Sequence, residues 1–181
     1  MHSERPFKAA PLAVFCGAAL VLQSASLSKS DQRFMKTSAE TDMMAAHLGQ
    51  MAESQSSHQN MKDFGKKLSM DHTNSYGGLS VLSNKTGETI PKALKPDKTI
   101  DHLAHLKGAS FDHEFIMQET RTQKAAVTAF KNEAEHGENS DVKAWANSML
   151  PTLEADLQTA ESLAKSGGTA KTVAKAQKPR K

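Results

Sequence analysis

The sequence predicts an all-α protein folded as an antiparallel four-helix bundle, and three observations carry that prediction. Strand patterns are missing: aromatic residues make up only 5% of the chain, and β-branched residues never alternate with polar ones over a strand's length. Good helix formers (Ala, Leu, Met, Lys, Gln and Glu) are abundant. Four long segments repeat apolar or small residues in steps of three and four.

The first helix is predicted over 31–54, with Phe34, Ser38, Thr41, Ala45, Leu48 and Ala52 along one face. The second is predicted over 57–86. Its stripe is Met61, Phe64, Leu68, Asp71 or His72, Ser75, Leu79 and Leu82, and Gly87 fits as its C-terminal cap. Pro91 and Pro96 bound an irregular link, and a short extra helix over 97–107 lies in that link and stops at Gly108. The third long helix takes Ser110 as its N-cap and carries Phe111, Phe115, Thr122, Ala126, Phe130 and Ala134 up to His136 and Gly137. Ser140 is predicted to cap the fourth, with Asp141 favouring the dipole in its first turn. Val142, Trp145, Met149, Leu153, Asp156, Ala160 and Leu163 form its stripe, and Gly167 and Gly168 end it.

Two features oppose the local pattern. Gly77 and Gly78 inside the second helix cost about 2 kcal/mol against alanine. Pro151 inside the fourth costs about 3 kcal/mol and predicts a kink. Short connections within each helix pair, and one longer link between the second and third helices, suit a bundle with a single crossover.

Residues 1–28 read as a signal peptide. Arg5 and Lys8 precede an apolar run over 9–22, and the small residues Ser24, Ala25, Ser26 and Ser28 place cleavage near Ser26 or Ser28. The run is shorter than the roughly twenty apolar residues of a spanning helix, and no second stretch of that length follows, so the mature chain is expected to have no transmembrane domain. The alternative is an uncleaved N-terminus that anchors the chain in the inner membrane. Phe15 does not suit lipidation of Cys16, the one cysteine. A domain over 29–166 would then contain no thiol or disulfide. Residues 167–181 lack an apolar period and read as a disordered basic tail. Its Lys171, Lys175, Lys178, Arg180 and Lys181 could touch anionic surfaces. The net charge of +3 sits largely in that tail, so no domain-wide basic footprint argues for nucleic acid.

The run Phe64-Gly65-Lys66-Lys67-Leu68-Ser69-Met70-Asp71-His72 resembles the F-A-x-x-M-x-x-D-H signature of exported bacterial proteins grouped as domain-of-unknown-function family 4142. Phe111-Asp112, opening a long helix, resembles the family's F-D entry. Leu150-Pro151-Thr152-Leu153 resembles its L-P-x-L motif. The resemblance spans about 31–165. It implies a ferritin-like helical bundle and export, and no established biochemical activity. Where the family often carries a second Asp-His pair, this chain has Thr122 and Gln123. Where it often carries a histidine after L-P-x-L, this chain has Asp156. A first-helix glutamate of the family falls near Ala45.

Ferritin-like di-metal centres take a Glu from each of two helices and a Glu-x-x-His from each of the other two. Glu133-x-x-His136 occurs once, unpaired, and reads as a solvated helix end with His136 near the C-terminal dipole. Asp71, His72, Glu119 and Asp156 fall on or beside the stripes of three helices. Polar groups buried in one layer must be satisfied by each other, by water or by an ion, so these four are candidate ligands for a divalent metal. The plainer alternative has Asp71 and Asp156 pointing outward and His72 making one core hydrogen bond. A second candidate is Met44, His47 and Met51, whose thioethers and imidazole suit copper(I). Methionine at helical spacing is otherwise core filler. Asp101, His102 and His105 read as an exposed, adventitious chelate, and His58 and His113 join no constellation. No catalytic or cofactor-binding set is visible: there is no Gly-x-Ser-x-Gly elbow and no phosphate-cradling glycine loop. The expectation is a non-enzymatic envelope protein that binds a small ligand or an envelope partner. The alternative is a degenerate ferritin-like protein that binds a divalent metal at His72 and nearby carboxylates.

Overall fold

The computed structural model describes residues 27–167. The apolar run, Cys16 and the basic tail beyond residue 167 lie outside them. All regular structure among the described residues is helical: α1 (Lys29–Gln55), α2 (Gln59–Thr86), α3 (Lys98–Ala104), α4 (Gly108–His136) and α5 (Ser140–Lys165).

The helix ends show where side-chain chemistry overrides spacing. Leu27 and Ser28, assigned by the sequence to the leader, are folded. Leu27 packs beside Leu79 and Leu82, and the Ser28 hydroxyl caps α1 by accepting from the Asp31 amide at 3.1 Å. Ser110 is not a cap. Gly108, at φ 59°, turns the chain into α4 earlier, after an N-cap at Lys107 that makes no side-chain bond. Gly108 therefore serves α4 and does not end α3, which stops at Ala104. Asn139, not Ser140, caps α5, its Oδ1 accepting from the amides of Asp141 (3.0 Å) and Val142 (3.1 Å). Gly87 ends α2 in the left-handed conformation, as its place in the pattern predicts. Helix α5 runs through Pro151 without a break, so Trp145 sits on an intact helix.

Helix α1 packs along α2 and α4 along α5. The two pairs meet through α1 with α4 and α2 with α5, and α3 rests on α4. The α1–α2 approach depends on glycine. A methyl on Gly49 would collide with the Gly65 carbonyl oxygen and lie 2.8 Å from the Ser69 amide nitrogen. Gly78 admits the Trp145 indole, whose Nε1 would lie 3.2 Å from an added methyl, whereas Gly77 faces open space. The second pair repeats the first in register: α5 begins at 140 as α2 begins at 59, and Asp112 and Phe115 stand where Asp31 and Phe34 stand, each 81 positions on.

The apolar core is divided. At one end Leu48, Met61, Phe64, Leu68, Leu103, Phe111, Phe115 and Leu163 pack together. At the other, Met35, Leu79 and Val142 form one cluster and Val127, Phe130 and Leu153 another, with Phe34 and Trp145 packed against both. Between the two ends every long helix contributes buried polar residues: Ser38 and Asp42 from α1, His72 and Ser75 from α2, Glu119 and Gln123 from α4, and Asp156 from α5.

Candidate functional site

The middle layer is organised around His72, which is 2% exposed. Its Nδ1 lies 2.7 Å from the Asp42 carboxylate, and its Nε2 lies 2.8 Å from the Gln123 amide nitrogen. With the amide donating, Nε2 carries the lone pair and Nδ1–H points at Asp42. Burial opposes a charge on this imidazole, but the Asp42 carboxylate, with Glu119 and Asp156 farther off, raises its basicity above the ordinary value. Burial likewise pushes the Asp42 carboxyl up, partly offset by His72.

Glu119 is fully buried, and neither of its oxygens has a hydrogen-bond partner. Desolvation drives its pKa to about 7; His72 pulls it down and Asp156 adds to the rise. Asp156 is also fully buried. Its Oδ1 accepts from the Lys67 ammonium at 2.5 Å, and its Oδ2 has no partner. Burial raises its pKa in spite of Lys67. Asp42 Oδ2, Ser75 Oγ and Gln123 Oε1 are unpartnered as well. The layer therefore holds a surplus of buried acceptors.

Of the four residues first singled out, three meet in this layer. Asp71 does not: it is partly exposed and accepts from Lys67 at 2.5 Å. Asp156 points inward, against the plainer alternative, and His72 makes two polar contacts where one was expected. Spacing alone missed Asp42 and Gln123, because the predicted stripes ran through their neighbours Thr41 and Thr122. Met51 is buried in the apolar cluster around Phe64, and Met44 packs against it. Among the described residues, no three His, Cys, Asp or Glu side chains stand close enough, as placed, to enclose a metal ion. This includes the exposed Asp101, His102 and His105.

Two further buried acids lock the turns. Asp31 accepts from the amides of Glu138 and Asn139, both at 3.1 Å, and so ties the start of α1 to the α4–α5 turn. Asp112 ties α4 to the α1–α2 turn through Ser57 Oγ at 2.9 Å and His58 Nδ1 at 2.7 Å. His58 thus belongs to a cluster after all. It is no catalytic triad, since Ser57 and Asp112 both face the same imidazole nitrogen. Burial works against both aspartates, but these hydrogen bonds hold each below the usual carboxylate range. Glu133 is not a solvated helix end. It is 2% exposed, whereas the His136 side chain is 70% exposed. Burial and a hydrogen bond with Asp31 push the Glu133 carboxyl up to about 7, against a small opposing effect of Lys143.

A sequence model of the family described as "Domain of unknown function (DUF4142)" matches residues 17–163. No curated protein matches the chain. Solved structures with the same fold do. One is CopM in the Cu(I)-bound form, 19% identical, with a TM-score of 0.64 over 75% of this chain and 96% of that one. CopM in the Ag-bound form by co-crystallization is 18% identical, with a TM-score of 0.62 over 75% and 96%. A DUF305 fragment from Deinococcus radiodurans is 11% identical, with a TM-score of 0.68 over 77% and 98%. At these identities the likeness is one of helical fold.

Proposed function

The chain belongs to the DUF4142 family, and from that premise we propose that it is an exported, non-enzymatic protein that binds a cation in the polar layer of a ferritin-like, antiparallel four-helix bundle. One observation supports this above the rest: Glu119 is fully buried with both oxygens unpartnered, in a layer with His72 and Asp156. Burying unpaired acidic oxygens costs several kcal/mol, and a bound cation offsets that cost. His72 would bind through Nε2 with Asp42 fixing its tautomer from behind, as buried carboxylates commonly do for ligating histidines. Glu119, Asp156 and the Gln123 carbonyl oxygen would complete the set once Glu119, which nothing ties down, turns toward the imidazole and the Gln123 amide turns over, giving up its bond to Nε2 and presenting its oxygen. Asp42 and Gln123 thereby join His72, Glu119 and Asp156, and Asp71 leaves the ligand set.

One imidazole with three oxygens suits a borderline or hard divalent ion better than copper(I). CopM, which shares the fold, is described in a Cu(I)-bound form, so copper(I) belongs among the ions tested, with Met44→Leu plus Met51→Leu as the variant for the methionine face. A partner-binding role is the second reading. It rests on the exposed side chains of Met70, Val81 and Met117. Export rests on the N-terminal segment, and cleavage before Leu27 suits this reading, since Leu27 packs in the bundle and Ser28 caps α1.

Elemental analysis tests the cation reading. The chain is purified without a histidine tag and loaded separately with iron(II), manganese(II), zinc(II) and copper(I), beside His72→Ala and Glu119→Gln. About one ion per chain is expected, lost in both variants while the helical circular dichroism is kept. No ion above background would overturn the reading and leave the partner-binding one.

A further inference from the structure

The buried Asp156 carboxylate already has a cation on it. The Lys67 ammonium sits 2.5 Å from Asp156 Oδ1 and 2.5 Å from Asp71 Oδ2. Asp156 is fully buried, the Asp71 side chain is 26% exposed and that of Lys67 is 47% exposed. Lys67 therefore reaches from the surface into the layer, its aliphatic stem at the boundary and its charge on the inner acid. Outside it lies a shallow depression of about 260 Å³ lined by Asp63, Lys66, Lys67, Met70 and Asp71. Deeper in, Glu119 and Asp156 Oδ2 stay unpartnered, so the one ammonium does not satisfy the layer.

We propose that Lys67 is a built-in competing cation that closes the layer, and that an entering divalent ion displaces it from Asp156 and leaves it on Asp71 alone. The inference rests on the cation-binding reading above. It assigns Asp71 a role that its position outside the layer otherwise leaves blank: at i+4 from Lys67, it holds the ammonium after displacement without requiring the helix to move. Among the described residues no metal cage is preformed, and positive charge reaches Asp156 from Lys67 instead. Selectivity follows from the same competition. A monovalent ion offers Asp156 no more charge than the ammonium it would replace, whereas a divalent ion also satisfies Glu119.

The test compares manganese(II) and cobalt(II) affinity of the full chain with that of Lys67→Met, by calorimetry and by the visible absorption of bound cobalt. Tighter binding by Lys67→Met, tenfold or more, is expected, and Lys67→Met with Glu119→Gln should not bind. Binding by Lys67→Met alone, with none by the unaltered chain, would also support the competitor, as a lysine that wins outright. Equal or weaker binding by Lys67→Met would overturn the competitor and leave the cation site standing. No binding by either chain would overturn both. A second readout guards against a variant that does not fold. In the unaltered chain, the rate of reductive methylation of Lys67, followed by mass spectrometry, should rise severalfold when manganese(II) is added. An unchanged rate would count against displacement.

Discussion

The turn-locking aspartates and the acids of the middle layer are equally hidden from water, yet their oxygens are used in opposite ways. Asp31 spends both oxygens on backbone amides of the α4–α5 turn. Asp112 gathers the Ser57 hydroxyl and amide and the His58 imidazole on Oδ2, leaving only Oδ1 without a partner. Glu119 has no partner on either oxygen, and Asp156 relies on a lysine drawn from the surface. Burial of an acid therefore does not single out the candidate site in this molecule; a side chain with both oxygens unpartnered, Glu119, does. The locks read as structural because each aspartate is held by two or more hydrogen bonds from a turn, and the layer is the candidate site because Glu119 is held by none.

Substitution should split the two classes by sign. The largest effect is expected at the locks: Asp31→Ala removes a buried acceptor from two amides and should lower stability by about 3 kcal/mol in urea titrations. Asp112→Ala should follow it with a somewhat smaller loss, because His58 is partly exposed and can turn to water. Glu119→Met should act the other way, raising stability by about 1–2 kcal/mol while abolishing cation binding, since it replaces an unpaired buried carboxyl with an apolar chain of similar length. A loss at Glu119 equal to that at Asp31 would erase the distinction.

The smallest effect, on the order of 1 kcal/mol, concerns pH. Of the two locks it belongs to that of Asp31 alone, because Ala52 stands where the repeat would place a counterpart of Glu133. The Glu133 carboxyl, near 7 in the fold against an ordinary 4.5, binds its proton more tightly when folded. Stability should therefore fall as pH rises between those values, and level off above about 7. Asp31, held low, gives the opposite slope only in stronger acid. The groups facing Glu133 are Asp31 from α1 and Lys143 from α5, with Arg33 lining the same groove. The effect is modest because Glu133 lies just under the surface, where solvent screens its charge. Melting temperatures from pH 5 to 8.5 should show the decline; Glu133→Gln should remove its share, and the rest should go with Glu119→Gln, whose carboxyl is also near 7.

Most of the fold was legible because helices announce themselves by period. The stripe through Met61, Phe64, Leu68, His72, Ser75, Leu79 and Leu82 is buried throughout. The weaker stripes slipped by one residue. In α1 the pattern favoured Thr41, but the buried side chain is Asp42; in α4 it favoured Thr122, but Gln123 is inside. A spacing of three or four cannot choose between adjacent polar residues, and an aspartate reads as surface until a partner such as His72 is placed beside it. Capping went the same way. Ser110 and Ser140 are good cap residues by type, but the turns before them are set by a left-handed Gly108 and by the Asn139 side chain. The locks were invisible for a different reason: Asp31 and Asn139 lie 108 positions apart, and no local pattern joins them.

The glycine contact between α1 and α2 has a consequence for speed. Gly65 and Ser69 lie against Gly49 on either side of Lys67, so the backbone that carries the lysine is pressed to its neighbour with no room for a methyl. The helix cannot slide or rotate there without separating the pair. Release of the ammonium from Asp156 must then come from rotation of its own side-chain bonds, a motion of nanoseconds and not the microseconds to milliseconds of a helix shift. The slower part of ion entry would then lie with the ion's loss of water and with the turn of the buried Glu119 toward the imidazole.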